Sequence, residues 1–237
     1  MNIKVFGSSS EGNAYIVSDG KTTLLLECGL PIKELKIKTN FFDPMPQACL
    51  ISHSHGDHAK SVKDILRLGI PCYTSEETAL ELCDRLPMPG KIKIIGHQTA
   101  FNVGTFDIAP LKMEHDVYCL GFYIYSQVTK ESLFFATDTC YIPYKLPPVD
   151  YIMVEANYDI DILNDRIMNG AVDPSMKNRL ARSHMEIGST ILWLSKQDLH
   201  KTKRIYLLHL SYGSSNAEDF KKRVIECTGI PTEIAGG

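Results

Sequence analysis

The chain has 237 residues, 44% of them hydrophobic and 22% charged, long enough to remove roughly 70–75% of its extended-chain surface from water on folding. A net charge of −3 argues against a broad nucleic-acid-binding face, and no apolar run reaches the length of a membrane span. The seven cysteines, Cys28, Cys49, Cys72, Cys83, Cys119, Cys140 and Cys227, form no C-x-x-C pair; they read as reduced thiols of a soluble cytoplasmic protein, several of them small core residues.

The chain opens with strand-like runs. NIKVFGS and NAYIVSDGKTTLLLECG place β-branched and aliphatic residues around Asp19-Gly20, a hairpin turn signal. QACLISH reads as a short buried strand. In SVKDILRLGIP, Val62, Ile65 and Leu66 recur at helical spacing, with Gly69 as a C′ residue and Pro71 as a stop. CYTSEETALELCDRLP repeats the pattern: a strand, a capping box at Thr74-x-x-Glu77, and a helix ending before Pro87. A second strand-rich stretch follows in KIKIIG, TFDIAPLKM, LGFYIYS, SLFFATD and YIMVEAN. The last third reads as helix around Ile187–Lys196, strand at RIYLLHLS, helix from Asn216 to Cys227 and a closing TEIAG. No linker, repeat or low-complexity segment interrupts the run, so residues 1–237 read as one α+β domain of two β-layers sandwiched by helices.

Chemistry concentrates where QACLISH ends. His53-Ser54-His55-Gly56-Asp57-His58 packs four metal-type donors into six positions. In an extended segment alternate residues share a face, so His53 and His55 point one way. Gly56 lets the backbone turn, and Asp57 and His58 approach from another direction. Imidazole and carboxylate lone pairs on a rigid base are what a divalent cation requires, and four donors can serve two adjacent ions. Among the remaining histidines, His115 stands between strand-like runs, His209 ends a strand, and His184 precedes a helix. His97 and His200 lie among polar turn residues and read as bystanders. Asp138 follows the apolar LFFA, at a strand end like His53 and His209.

HSHGDH matches the H-x-H-x-D-H signature of the metallo-β-lactamase superfamily, and GSSSEGNAYIV resembles its opening hairpin. LLLECG is similar to its L-I-D-x-G, with Glu27 in place of aspartate. The resemblance spans nearly the whole chain and implies a four-layered αβ/βα fold with a dinuclear metal site. It implies that His53, His55 and His115 bind one ion, that Asp57, His58 and His209 bind the other, and that Asp138 bridges them. Zn²⁺, Mn²⁺ and Fe all suit this donor set. The oxygen-reducing di-iron branch typically has a carboxylate where His55 stands, so the resemblance favours hydrolysis.

FATDT, VEANYD, SH and HLS are similar to the motifs of the tRNase Z-like phosphodiesterase branch, and EANYD followed by SHMEI to its bacterial 5′-exonuclease relatives. The resemblance implies that His184 contacts the scissile phosphate and Glu155 orients it, giving Asp57, His184 and Glu155 as catalytic candidates. Ser183 replaces a missing hydroxyl neighbour, and Tyr212 and Ser214 of HLSYGSSN are candidates for lining the substrate pocket. The segment 159–183 lacks the long basic arm of tRNA-processing members. Compact relatives include the anti-Pycsar enzymes, which linearise cyclic CMP and cyclic UMP. The expectation is therefore a cyclic nucleotide phosphodiesterase, with a nuclease as the first alternative and a lactonase- or thioesterase-type hydrolase as the second. Branch members are often homodimers, with a loop such as 159–183 covering the partner's site.

Overall fold

The structure, a computed structural model, describes residues 1–83 and 92–236; the helix end expected before Pro87 lies outside them. The chain divides into two compact units, Met1–Lys112 with Val117–Ser132, and Met113–Asp116 with Leu133–Ala235.

The first unit begins with β1 (Asn2–Gly7), β2 (Ala14–Ser18) and β3 (Thr23–Leu26). β2 and β3 pair antiparallel from Tyr15↔Leu26 to Ser18↔Thr23. Asp19 closes their turn, its Oδ1 accepting from the Lys21 and Thr22 amides, as the Asp19-Gly20 signal predicts. α1 (Ile32–Lys38) leads to β4 (Ala48–Leu50), followed by α2 (Gly56–Ala59), α3 (Val62–Arg67), β5 (Cys72–Thr74), α4 (Glu76–Cys83) and β6 (Ile92–Ile94). These strands form a six-stranded sheet in chain order, β1 to β6. β3 and β4 are buried along their whole length, as continuous apolar runs in a parallel arrangement should be. Leu25, Cys49, Ile51, Ile65 and Leu66 belong to the core beside them. β7 (Phe101–Val103), β8 (Phe106–Met113) and β9 (Cys119–Ser126) complete the unit.

Two local expectations shift. The cap of α4 is Ser75, whose Oγ accepts from the Thr78 amide at 3.1 Å; Thr74 still belongs to β5, and its hydroxyl donates to the Ile51 carbonyl. The turn after His55 is the first turn of α2 and uses no positive φ at Gly56. Gly69, with φ 87°, is a left-handed residue just past α3, as expected.

The second unit carries β10 (Ser132–Ala136), β11 (Tyr151–Glu155), α5 (Ile160–Met168), α6 (Ser175–Ser183), α7 (Ile187–Ser195), β12 (Arg204–Leu208), α8 (Ala217–Thr228) and β13 (Thr232–Ile234). β10, β11, β12 and β13 pair in parallel. All of β10 is buried, and full burial of Phe134 and Phe135 contributes about 1.5–3 kcal/mol each. Segment 159–183, expected as a covering loop, is instead the helical pair α5 and α6, joined by Leu163 and Leu180 packed with Tyr158. Asp159 caps α5 through the amides of Asp161 and Ile162, and Asn216 caps α8. All seven cysteines are free thiols. No helix of the described residues is long and apolar enough to cross a membrane.

Candidate active site

In the first unit the signature leaves the end of β4. The Ser52 amide donates to Glu27 Oε1 (3.0 Å), and Ser52 Oγ lies 2.8 Å from His53 Nδ1. The rings of His53 and His55 meet edge-on at 4.6 Å, and the turn of α2 brings His58 to 4.2 Å from His53. Asp57 Oδ2 lies 3.3 Å from His58 Nε2 and Glu27 Oε2 lies 3.5 Å from His58 Nδ1. His53 and His55 thus meet as the alternation predicts, and the turn of α2 brings Asp57 and His58 together beside them. Glu27 is fully buried with φ 61°. Burial pushes its carboxyl upward, opposed by His58 and Ser52.

Sequence reasoning passed over two residues here. Asn13 ties the loop from behind: its amide and Nδ2 both donate to the Asp57 carbonyl, at 2.8 and 3.2 Å, and Nδ2 lies 3.1 Å from His58 Nε2. Gly29 lies against the same carbonyl so closely that a Cβ there would sit 1.5 Å from it. Both residues are remote in sequence from the signature, and only the fold brings them there.

In the second unit, β10, β11 and β12 deliver Asp138, Glu155 and His209 at their carboxyl ends, where parallel sheets commonly place ligands. His184, the C-cap of α6, joins them; ligand atoms of Asp138, Glu155, His184 and His209 all lie within 4.8 Å of one another. His184 Nδ1 donates to Glu155 Oε1 at 2.6 Å, while Glu155 Oε2 accepts from the amides of Thr139 (2.9 Å) and Met185 (3.0 Å). Burial alone raises the Glu155 carboxyl, but the charge and hydrogen bond of His184, with the bond from His209, outweigh it and hold it below the usual range. Burial lowers His184; Glu155 and Asp138 reverse this and raise it above an ordinary imidazole. His209 has φ 54°, a strained conformation for a residue with a side chain. Asn157 Nδ2 holds it by donating to its carbonyl at 2.7 Å. Thr137 Oγ1 donates to Asp138 Oδ1 at 2.7 Å.

His115 Nδ1 lies 2.6 Å from the Ser183 carbonyl. A carbonyl only accepts, so the Nδ1 proton points there, while Nε2 lies 3.0 Å from Asp116 Oδ1. Burial lowers the His115 imidazole, partly opposed by the carboxylates of Asp138 and Asp116. A neutral ring held at one nitrogen is the form in which histidine ligates metal, and the donors gathered in each unit are imidazoles and carboxylates alone. The residues present fit divalent metal ions.

The other candidates are placed as follows. Ser183 turns its hydroxyl to the Arg179 carbonyl (2.8 Å). Tyr212 is wholly exposed, and buried Ser214 has its hydroxyl 3.3 Å from Arg166 Nη1. His97 Nδ1 accepts from the Lys112 amide, and exposed His200 pairs with Asp198; neither belongs to a donor cluster among the described residues.

A family model described as "Beta-lactamase superfamily domain" matches residues 35–210. The chain belongs to the beta-lactamase superfamily. It is 28% identical over 224 residues to the exodeoxyribonuclease WalJ of Streptococcus pneumoniae, covering 87% of this chain and 80% of that one. Two solved structures resemble it in fold. The metallo-beta-lactamase fold protein YhfI from Bacillus subtilis matches at TM-score 0.75 and 18% identity over 99% of this chain and 97% of that one. A diphosphatase of the PhnP family matches at TM-score 0.69 and 16% identity over 99% and 94%. The superfamily and the metallo-β-lactamase fold implied by HSHGDH are thus borne out.

Proposed function

We propose that this chain is a metal-dependent phosphodiesterase acting on nucleotide phosphodiesters. The observation that carries the reading is the pair of buried Glu155 and half-buried His184, 2.6 Å apart beside Asp138 and His209. A thioester releases a thiolate that leaves unprotonated, whereas a phosphodiester expels an alkoxide that needs a proton, which such a pair can supply. With Nδ1 committed to Glu155, His184 presents Nε2 as the proton-transfer atom, a contribution of about 10²–10⁴-fold. Glu155 fixes the tautomer and, anchored by two backbone amides, the ring's position.

His53, His55 and His115 are proposed to hold one divalent ion, and Asp57, His58 and His209 a second, with Asp138 between them. Such a pair supplies an activated water and a Lewis-acid clamp on the phosphate. Zn²⁺ is the proposed ion, with Mn²⁺ and Fe as the other members of the donor-compatible set. Asp57, in the reach of His58 and anchored through its carbonyl by Asn13, positions the attacking water. Ser183, Tyr212 and Ser214 are proposed to border the substrate; exposed Tyr212 offers its ring to a base. A homodimer in the cytoplasm completes the reading.

Cyclic CMP and cyclic UMP are the proposed substrates, since segment 159–183 is a compact helical pair and the chain carries no excess of basic residues. A second reading, a DNA 5′-exonuclease, is favoured by the likeness to WalJ over most of both chains. Incubation with Mn²⁺ separates them: a panel of cyclic mononucleotides is offered beside 5′-phosphorylated DNA, and linear nucleotide or released mononucleotide is measured. No product from any phosphodiester rejects the proposal.

A further inference from the structure

Beside the Glu155–His184 pair, the second unit contains a pocket of about 330 Å³, within the range of small-molecule sites. It lies between the segment Cys140–Lys145 and the exposed side of α7, and Met185 adds to its wall. The pocket is built, not incidental. Trp193 Nε1 donates to the Tyr144 carbonyl at 3.1 Å, the Leu146 amide donates to Gln197 Oε1 at 2.9 Å, and Gln197 Nε2 donates to the Trp193 carbonyl at 3.1 Å. The first two bonds fasten the loop to α7 and the residues just past it, and the third holds the Gln197 side chain in place. Two wall residues are also placed by the acid–base pair: Glu155 Oε2 accepts from the Met185 amide and from Thr139, next to Cys140.

The lining chemistry selects a ligand. Exposed Tyr141 and half-buried Tyr144 offer aromatic surface, Leu192 is mostly exposed, and Trp193 lines the pocket with only 7% of its surface accessible. Lys145 and Lys196 supply two positive charges, and no carboxylate of the described residues lines the pocket, in a chain whose net charge is −3. Flat aromatic walls with a cationic rim match a planar ring carrying an anion. Such walls stack any base, and lysine binds phosphate as a point charge. We propose that this pocket is a nucleoside monophosphate subsite, with the base against Tyr141 and Tyr144, close to Trp193, and the phosphate charge balanced by Lys145 and Lys196. The inference rests on the phosphodiesterase reading, since either proposed reaction leaves a nucleoside monophosphate and nothing else about the pocket names nucleotides.

Trp193 is the only tryptophan, so its emission reports this pocket directly. The purified protein is titrated with CMP, UMP, AMP and GMP, and with ribose 5-phosphate and inorganic phosphate as controls. The expected result is saturable quenching by the four nucleotides, weakened by salt, and little response to the two controls. Tyr141→Ala and Lys196→Glu, both at exposed positions, should each raise the dissociation constant roughly tenfold, with circular dichroism unchanged. Emission unaffected by every nucleotide overturns the proposal, as do quenching by ribose 5-phosphate equal to that by nucleotides and wild-type binding by both variants. Phosphodiester cleavage by a protein whose Trp193 does not respond rejects the subsite and leaves the activity standing. Nucleotide binding without cleavage supports the subsite and rejects the activity.

Discussion

Gly29→Ala tests whether close backbone approach positions the proposed metal-binding loop. A Cβ at Gly29 falls 1.5 Å from the Asp57 carbonyl oxygen, 2.1 Å from its carbon and 2.8 Å from the His58 nitrogen. Real Cβ contacts essentially never fall below 3.0 Å, so one backbone must retreat by about 1.5 Å, more than close packing absorbs. The Asp57 carbonyl accepts from the Asn13 amide and Nδ2, and the Cys28 amide donates to the His58 carbonyl at 2.8 Å. Loss of two or three such bonds at about 1 kcal/mol each, with the steric term, predicts destabilisation of about 2–4 kcal/mol. Misplacement of Asp57 and His58 by this distance predicts an activity loss of about 10²-fold or more. Gly56→Ala is the control: a Cβ there meets nothing within 4 Å, in the first turn of α2, and should leave stability within about 1 kcal/mol of the parent. Urea unfolding at constant m, with phosphodiesterase rates on the same preparations, measures both. A wild-type midpoint and rate for Gly29→Ala, or equal destabilisation by the two variants, refutes the close-approach argument.

Glu155→Gln removes the charge behind His184 and puts an NH2 group either against His184 Nδ1 or against the Thr139 and Met185 amides, which share Oε2; kcat should fall by about 10²–10⁴-fold and stability by about 1–3 kcal/mol, read by steady-state kinetics and urea unfolding. Chelation should abolish activity and lower Tm by about 5–10 °C if ions are present at roughly 100 times Kd, checked by elemental analysis and thermal scans before and after. Burial alone raises the Asp159 carboxyl, but Arg223 at 2.7 Å and the amides of Asp161 and Ile162 hold it below its usual value. Its stabilisation is therefore complete above the unfolded carboxylate range near pH 4 and disappears as pH falls through the lowered folded value. Asp159→Asn should cost about 1 kcal/mol at pH 7, a deficit that shrinks to nothing in denaturant titrations near pH 2.

Most strands were legible because burial on both faces leaves an uninterrupted apolar run: LFFA and YIMV are the interior of parallel β10 and β11. HSHGDH was legible because its donors are neighbours in the chain, and strand alternation with one helical turn suffices to gather them. The helical pair α5 and α6 was not, since its core rests on Leu163 and Leu180 with partly buried Ile160, Ile167 and Met176, in a segment otherwise rich in charge. α1 was also missed: seven residues with three lysines and one fully buried side chain, Leu35, leave little periodic signal. The Ser75 cap shows a one-position error of a different kind, because β5 retains Thr74 through a bond to Ile51 that depends on sheet pairing.

Asn13, Gly29 and Asn157 escaped notice for a shared reason: each acts on a backbone carbonyl or amide, and a backbone group carries no residue identity that sequence can display. Glu155 joins the two kinds of information. One carboxylate oxygen meets the His184 ring, a relation that the EANYD and SHMEI motifs foreshadow. The other accepts the amides of Thr139 and Met185, which no motif records. Those amides belong to the segments that run on into the wall of the Trp193 pocket. Removing the carboxylate should therefore disturb the proposed proton transfer and the shape of the proposed nucleotide subsite together. Glu155→Gln should weaken both catalysis and quenching of Trp193 by nucleotides, whereas Lys196→Glu should weaken the quenching with His184 and its partner left in place. A Glu155→Gln protein that loses catalysis yet binds nucleotides as the parent does would show that the two amide bonds do not shape the pocket.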